Sequence, residues 1–300
     1  MKPVVLAHGY LGFGDLFHVD YFNGVKKHLE DKWGLTVFAS TVGPKDRVQD
    51  RAAALETEIK SNFNGKPVHI IAHSMGGLDA RYLIAPIEGK PSDLVASLTT
   101  VATPHQGTFL GDVALLPLEP GQARNNPAFQ RLIIGLPGAE AQLFAGFLKH
   151  PLNAANQELR EAIETARSIA RNFVAGDPTP LATYIKGLFT LNDRALRDLT
   201  PAECAKLFAA PGAQRVPCFS YAAHAIPFES LSSKLLLSYM VLKAIEGEND
   251  GMVSLRSAQW AKYQGEFPAD HAKVIGWGTK DHLPWYDTMI ENIRHSVPDA

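Results

Sequence analysis

The stretch AHSMG, residues 72–76, sets a serine between two runs of opposite character. Before it, KPVHII is β-branched and apolar, the pattern of a buried strand. After it, Leu78, Tyr82 and Leu83 recur at helical spacing, and Pro86 marks a stop. A hydroxyl at such a junction has a chemical use. With Ala72 and Gly76 two positions to either side, strand and helix can nearly touch. The turn is then forced into a strained conformation that lifts the Ser74 hydroxyl out of the backbone. A serine presented this way is a candidate nucleophile. It needs a base to take its proton and an acid to hold that base in the right tautomer.

The strand–elbow–helix arrangement is the G-x-S-x-G nucleophile elbow, here with Ala72 as its first residue, and in that setting the partners follow in the order acid, then histidine. The segment AKVIGWG, residues 272–278, reads as a late strand running into TKDHLPWY, which places His282 in a loop beyond a strand end. His271 and His295 are its rivals. His271 precedes that strand, His295 falls in a terminal helical segment, and His73 reads as a packed elbow residue. For the acid, Asp250 in EGENDGMVS sits in an Asp-Gly turn. Asp193 and Asp198 fall in a helical region, and Asp281 directly precedes the histidine. The oxyanion of an acyl-transfer intermediate needs backbone N–H donors. Met75, following the nucleophile, supplies one; the glycine-rich LAHGYLGFG supplies the second through Tyr10, with Leu11 next and His8 as a brace.

The elements that must position these groups alternate. PVVLAHG, LTVFAST, KPVHIIA and LTTVATP read as strands; YFNGVKKHLEDKWG and DRVQDRAAALETEIKSNF read as helices, the first closed by Gly34, the second with Asp46 or Asp50 near its start. Such alternation predicts an α/β fold with a mostly parallel sheet flanked by helices. From residue 107 the pattern becomes helical, and strand character returns at VPCFSYA. The expected organisation is a core of residues 1–106 and 216–300 interrupted by a helical cap or lid at 107–215. Within it, residues 129–148 carry an apolar run that could close over the site.

The remaining composition excludes several classes. A net charge of −2 without basic blocks argues against nucleic acid. No apolar run is long enough for a membrane span. The N-terminus lacks a signal-peptide pattern, which points to a cytoplasmic protein, or to a secreted one whose leader lies outside this numbering. Cys204 and Cys218 have no metal-site spacing and read as free thiols.

Taken in order, PVVLAHGYLGFGD, DYFNGV, AHSMGGLDARY, TPHQGT, LRDLTPAECAKLF, ENDGMVS and DHL resemble successive landmarks of the bacterial true lipases of the Pseudomonas, Burkholderia and Proteus type. The likeness is spread over most of the chain and is vaguest through residues 110–190. It implies an α/β-hydrolase fold with a helical lid and a triacylglycerol lipase or carboxylesterase using Ser74, Asp250 and His282, with Tyr10 and Met75 as oxyanion donors. The substrate it implies is an acyl ester or lipid, met at a lipid–water interface; no organic cofactor is needed. An acyltransferase, or a short-chain or polyester esterase, would use the same triad. The resemblance also implies a calcium ion tied to an aspartate two residues after the histidine. Pro284 stands there, so no metal is expected. The disulfide often found in that group lacks its cysteine, Arg256 standing in its place.

Overall fold

The computed structural model describes residues 1–9, 20–44, 46–85, 93–116, 126–127, 130, 157–174, 177–189, 193–209, 216–226, 229–279 and 281–297. Six strands form one parallel sheet: β1 (Val4–Ala7), β2 (Val37–Ala39), β3 (Val68–His73), β4 (Val95–Val101), β5 (Cys218–Ala223) and β6 (Lys262–Phe267), in the order β2-β1-β3-β4-β5-β6. Ser74 follows the end of β3, which pairs with β1 and β4 on either side.

Alternate side chains of each strand face opposite layers. Val4, Leu6, Ile71 and Val101 pack with α1 (Val25–Trp33) and with Tyr286, Met289 and Ile290 of a C-terminal helix, Leu283–Ser296. Val5, Ala7, Ile70 and Ala72 pack on the other side with α2 (Val48–Phe63) and α3 (Met75–Ile84). The sheet is therefore buried on both faces, as all-parallel sheets are.

Among the described residues, no strand lies between β4 and β5. That stretch holds α4 (Phe109–Ala114), α5 (Gln157–Val174), α6 (Thr179–Phe189), α7 (Asp193–Leu199) and α8 (Pro201–Leu207). The stretch DRALRDLTPAECAKLF forms two helices, α7 and α8. The Thr200 side chain caps α8, and Pro201 at its first turn has no N–H to continue α7. Much of this helical stretch is part of the core. Asp198, fully buried, accepts from Arg47 Nη2 (2.6 Å) and from the Val48 N–H at the start of α2 (2.9 Å), and a carboxylate there complements the helix dipole. After β5 come α9 (Leu236–Ile245), α10 (Leu255–Ala258) and, after β6, α11 (Leu283–Ser296). The apolar run 129–148 lies outside the described residues except Gln130.

Two elements differ from the sequence reading. The segment AKVIGWG is not a strand: Lys273–Ile275 form a single 3-10 turn whose Val274 and Ile275 are buried. The last strand is instead β6, KYQGEF, a largely exposed edge strand with Gly265 inside it. Its polar composition hides it from a search for apolar runs, whereas the buried 3-10 turn imitates one.

Candidate active site

Ser74 has φ 55° and ψ −131°, a left-handed conformation for a residue with a side chain. The strain is held by close packing around the elbow. A Cβ on Gly76 would lie 2.5 Å from the Ala7 carbonyl oxygen and 2.6 Å from that of His8, so α3 can sit this close to β1 only with glycine there. A Cβ on Gly9 would meet Ser74 Cβ at 2.6 Å, so the loop after β1 runs directly against the serine.

The histidine that the fold brings to Ser74 is His271, not His282. His271 Nε2 lies 2.9 Å from Ser74 Oγ, and its Nδ1 lies 2.7 Å from Asp250 Oδ2. These two contacts define the tautomer: Nδ1 carries the proton donated to Asp250, and Nε2 is free to accept from the serine. His271 lies four residues past the end of β6, beyond the carboxyl ends of the strands where such sheets gather their chemistry, and its own N–H donates to the Asp250 carbonyl (2.9 Å). The structure places His282 elsewhere, at the start of α11, with Nε2 donating to the Asn23 carbonyl oxygen (2.9 Å) and its ring against Gly276 and edge-on to Tyr286. The sequence pattern points to His282 because the polar β6 leaves no apolar signal; with the last strand at 262–267 rather than 272–278, the loop after it carries His271.

Asp250 is fully buried. Its Oδ1 accepts from the N–H groups of Met252 (2.8 Å) and Val253 (2.7 Å), which leaves Oδ2 aimed at the imidazole. Gly251, at φ 95°, makes that turn possible. Met75 opens α3, so its N–H has no acceptor within the helix and is available beside Ser74. Tyr10 lies outside the described residues. His8 braces the loop before it, with Nδ1 2.8 Å from the Gly9 carbonyl and Nε2 3.1 Å from that of Val42. Burial, with Arg51 nearby, depresses its pKa to about 4, so it is neutral and donates to one of the two.

One residue that the sequence reading passed over secures the histidine. Asp270, fully buried, accepts through Oδ1 from the N–H groups of Ala272 (3.0 Å) and Lys273 (2.7 Å). Its Oδ2 accepts from the Ser232 N–H (2.7 Å) and hydroxyl. The loop carrying His271 is thereby tied to the segment before α9. The Asp-His pair itself was the available signal, had β6 been placed correctly.

Ser74 and His271 open into a cavity of about 600 Å³ lined by Leu188, Phe189, Leu199, Leu235, Met252 and Val253 among others. Such a lining favours an alkyl chain over a polar one. Cys204 and Cys218 are free and buried, their thiols pushed up to about 11 and about 12 by burial, and so are unreactive.

A family description, the alpha/beta hydrolase fold, matches residues 2–202. The chain belongs to the alpha/beta hydrolase fold family. Among its relatives, triacylglycerol lipase 2 of Saccharomyces cerevisiae is 26% identical over 283 residues, 91% of this hydrolase and 67% of that protein. A triacylglycerol lipase of Pseudomonas fragi is 33% identical over 125 residues, and the match spans 40% of each chain, so the hydrolase covers less than half of that relative. In three dimensions it superimposes on a mature Bacillus licheniformis lipase with a TM-score of 0.61 and 17% identity, covering 97% of this chain and 91% of that one. No described helix of the hydrolase is long and apolar enough to cross a membrane.

Proposed function

We propose that this hydrolase is a serine carboxylic-ester hydrolase, a triacylglycerol lipase of the Pseudomonas, Burkholderia and Proteus type, working through Ser74, His271 and Asp250. The observation that carries the reading is the unbroken chain of contacts from Ser74 Oγ through His271 to Asp250 at the floor of an apolar cavity. Ser74 attacks the ester carbonyl as His271 Nε2 takes its proton. Asp250 holds the imidazole and stabilises the cation that forms. The oxyanion is received by N–H donors, Met75 and, in the loop after β1, Tyr10. His271 then returns the proton to the leaving alcohol, and water repeats the cycle to release the acid. The acyl chain lies along Leu188, Phe189 and Leu235. The helical insertion at residues 107–215 is read as a cap over the site. Lipase relatives and the resemblance in motif order support the substrate class.

A fluorophosphonate probe followed by peptide mapping tests the nucleophile: label is expected on Ser74, and label elsewhere rejects the mechanism. A panel of glycerol esters of increasing chain length, assayed dissolved and emulsified, tests the substrate. Turnover is expected to rise sharply once a long-chain ester exceeds its solubility, and smooth saturation with short esters alone would make it an esterase instead.

A further inference from the structure

The peptide group joining His8 to Gly9 is held at both ends by side chains outside the triad. Its carbonyl, on His8, accepts from Arg51 Nη2 at 2.7 Å. Its N–H, on Gly9, donates to the Tyr21 hydroxyl at 3.1 Å. Arg51 is fully buried and is itself fixed by Asp79 Oδ2 (2.8 Å) and the Gly43 carbonyl (2.7 Å). The Tyr21 hydroxyl is in turn oriented by His73, whose Nδ1 lies 2.8 Å away. Burial, together with the neighbouring His271, keeps His73 well below its usual range and therefore neutral. Its Nδ1 can then accept the Tyr21 proton, which leaves a phenolic lone pair facing Gly9 N–H. The same His73 ring packs 4.6 Å from that of His271.

We infer that Tyr21 and Arg51 are positioning residues that clamp the His8–Gly9 peptide plane beside Ser74, on which oxyanion binding depends. The inference rests on the proposed esterase reading. Three features support it. Gly9 lies against Ser74 Cβ, so a rotation of this peptide is felt at the nucleophile. The next residue is Tyr10, the oxyanion donor expected from the sequence. Neither Tyr21 nor Arg51 is among the described residues lining the cavity, so neither reaches substrate through it. Oxyanion donors act on charge present only in the transition state. Loss of the clamp should therefore lower kcat and leave KM nearly unchanged.

Tyr21→Phe isolates the hydroxyl. The ring keeps its packing on Phe22 and His8, and the Tyr21 backbone carbonyl keeps the Trp277 Nε1 donor at 3.0 Å. With a dissolved short-chain ester, kcat is expected to fall about tenfold or more with KM within about twofold, since small misplacements of catalytic groups cost that much or more. Ser74 should still be labelled by a fluorophosphonate. A kcat within about twofold of wild type overturns the inference even if Tm drops, as does a raised KM with kcat kept. Should Tyr21→Phe be insoluble, Arg51→Lys, which keeps the charge beside Asp79 but cannot hold all three acceptors, is judged by the same split. Absence of Ser74 labelling in the wild type would remove the underlying esterase reading instead, so the two failures are distinguishable.

Discussion

At the scale of single residues, the two histidines separate the sequence reading from the structure. His271 contacts both Ser74 and Asp250, while His282 is spent on the Asn23 carbonyl. His271→Ala is expected to lower kcat by about three orders of magnitude or more, in line with losses on removing a triad base. His282→Ala should leave kcat within a few-fold, although its loss opens space beside Tyr286 and should lower Tm. Steady-state kinetics on both variants decides the matter: an inactive His282→Ala that is folded, beside an active His271→Ala, would reverse the assignment. Asp250→Asn should also cost activity heavily. An asparagine oxygen can still accept from the two backbone N–H groups, which turns its NH2 rather than an acceptor toward the imidazole, so kinetics should show a far larger loss than the melting curve.

At the scale of elements, close backbone apposition and a carboxylate bridge hold the site. Because a Cβ at Gly76 would drive into the carbonyls of Ala7 and His8, Gly76→Ala must push α3 away from β1. The expected result is a stability loss of about 2 kcal/mol or more, typical of forced backbone strain, with kcat lowered because Ser74 moves with the helix; chemical denaturation and kinetics would check it. Asp270 joins the His271 loop to Ser232 through four hydrogen bonds. In the lipases that the motifs resemble, a calcium ion is expected to tie down the histidine loop. Here a protein carboxylate makes that tie, and no carboxylate stands two residues after either histidine, where Lys273 and Pro284 are found. EDTA should therefore leave Tm and activity nearly unchanged, whereas Asp270→Ala should cost about 2–3 kcal/mol, as hydrogen bonds to a buried carboxylate do. A chelator-induced fall in Tm that added calcium restores would contradict this.

For the whole molecule, pH dependence follows from several buried histidines. Burial depresses the pKa of His8 and His69 to about 4, and those of His73, His105 and His282 are lowered for the same leading reason. The unfolded chain binds protons on these rings near the ordinary value of about 6.5, and the folded chain does not. Stability is therefore full above that value and is lost as pH falls toward about 4, at up to about 1.4 kcal/mol per pH unit for each histidine. Asp79 works the other way, since burial raises it to about 6 despite its pairing with Arg51, but it is one group against several. Thermal melts should show Tm dropping steadily from pH 7 to pH 5. A flat profile over that interval would mean that the histidines are not neutral in the folded protein.

The sequence by itself determined what depends on neighbours along the chain. The period of apolar residues located β1 to β5 and the flanking helices α1 to α3, and the small residues around Ser74 specified the elbow, because strand and helix periodicities and a strained turn are local properties. The Asp-Gly turn likewise exposed Asp250. Which histidine meets that carboxylate was a tertiary matter. Read along the chain, His271 precedes an apparent strand and His282 follows it, so local pattern favours the wrong contact. The choice between them was made by β6 pairing with β5, a contact driven by backbone hydrogen bonds at a polar edge that leaves almost no hydrophobic pattern. The clamp formed by Tyr21, His73 and Arg51 on the His8–Gly9 peptide was also invisible in the sequence. Those residues come from separate elements and meet only when α2, β3 and the segment before α1 pack around the end of β1.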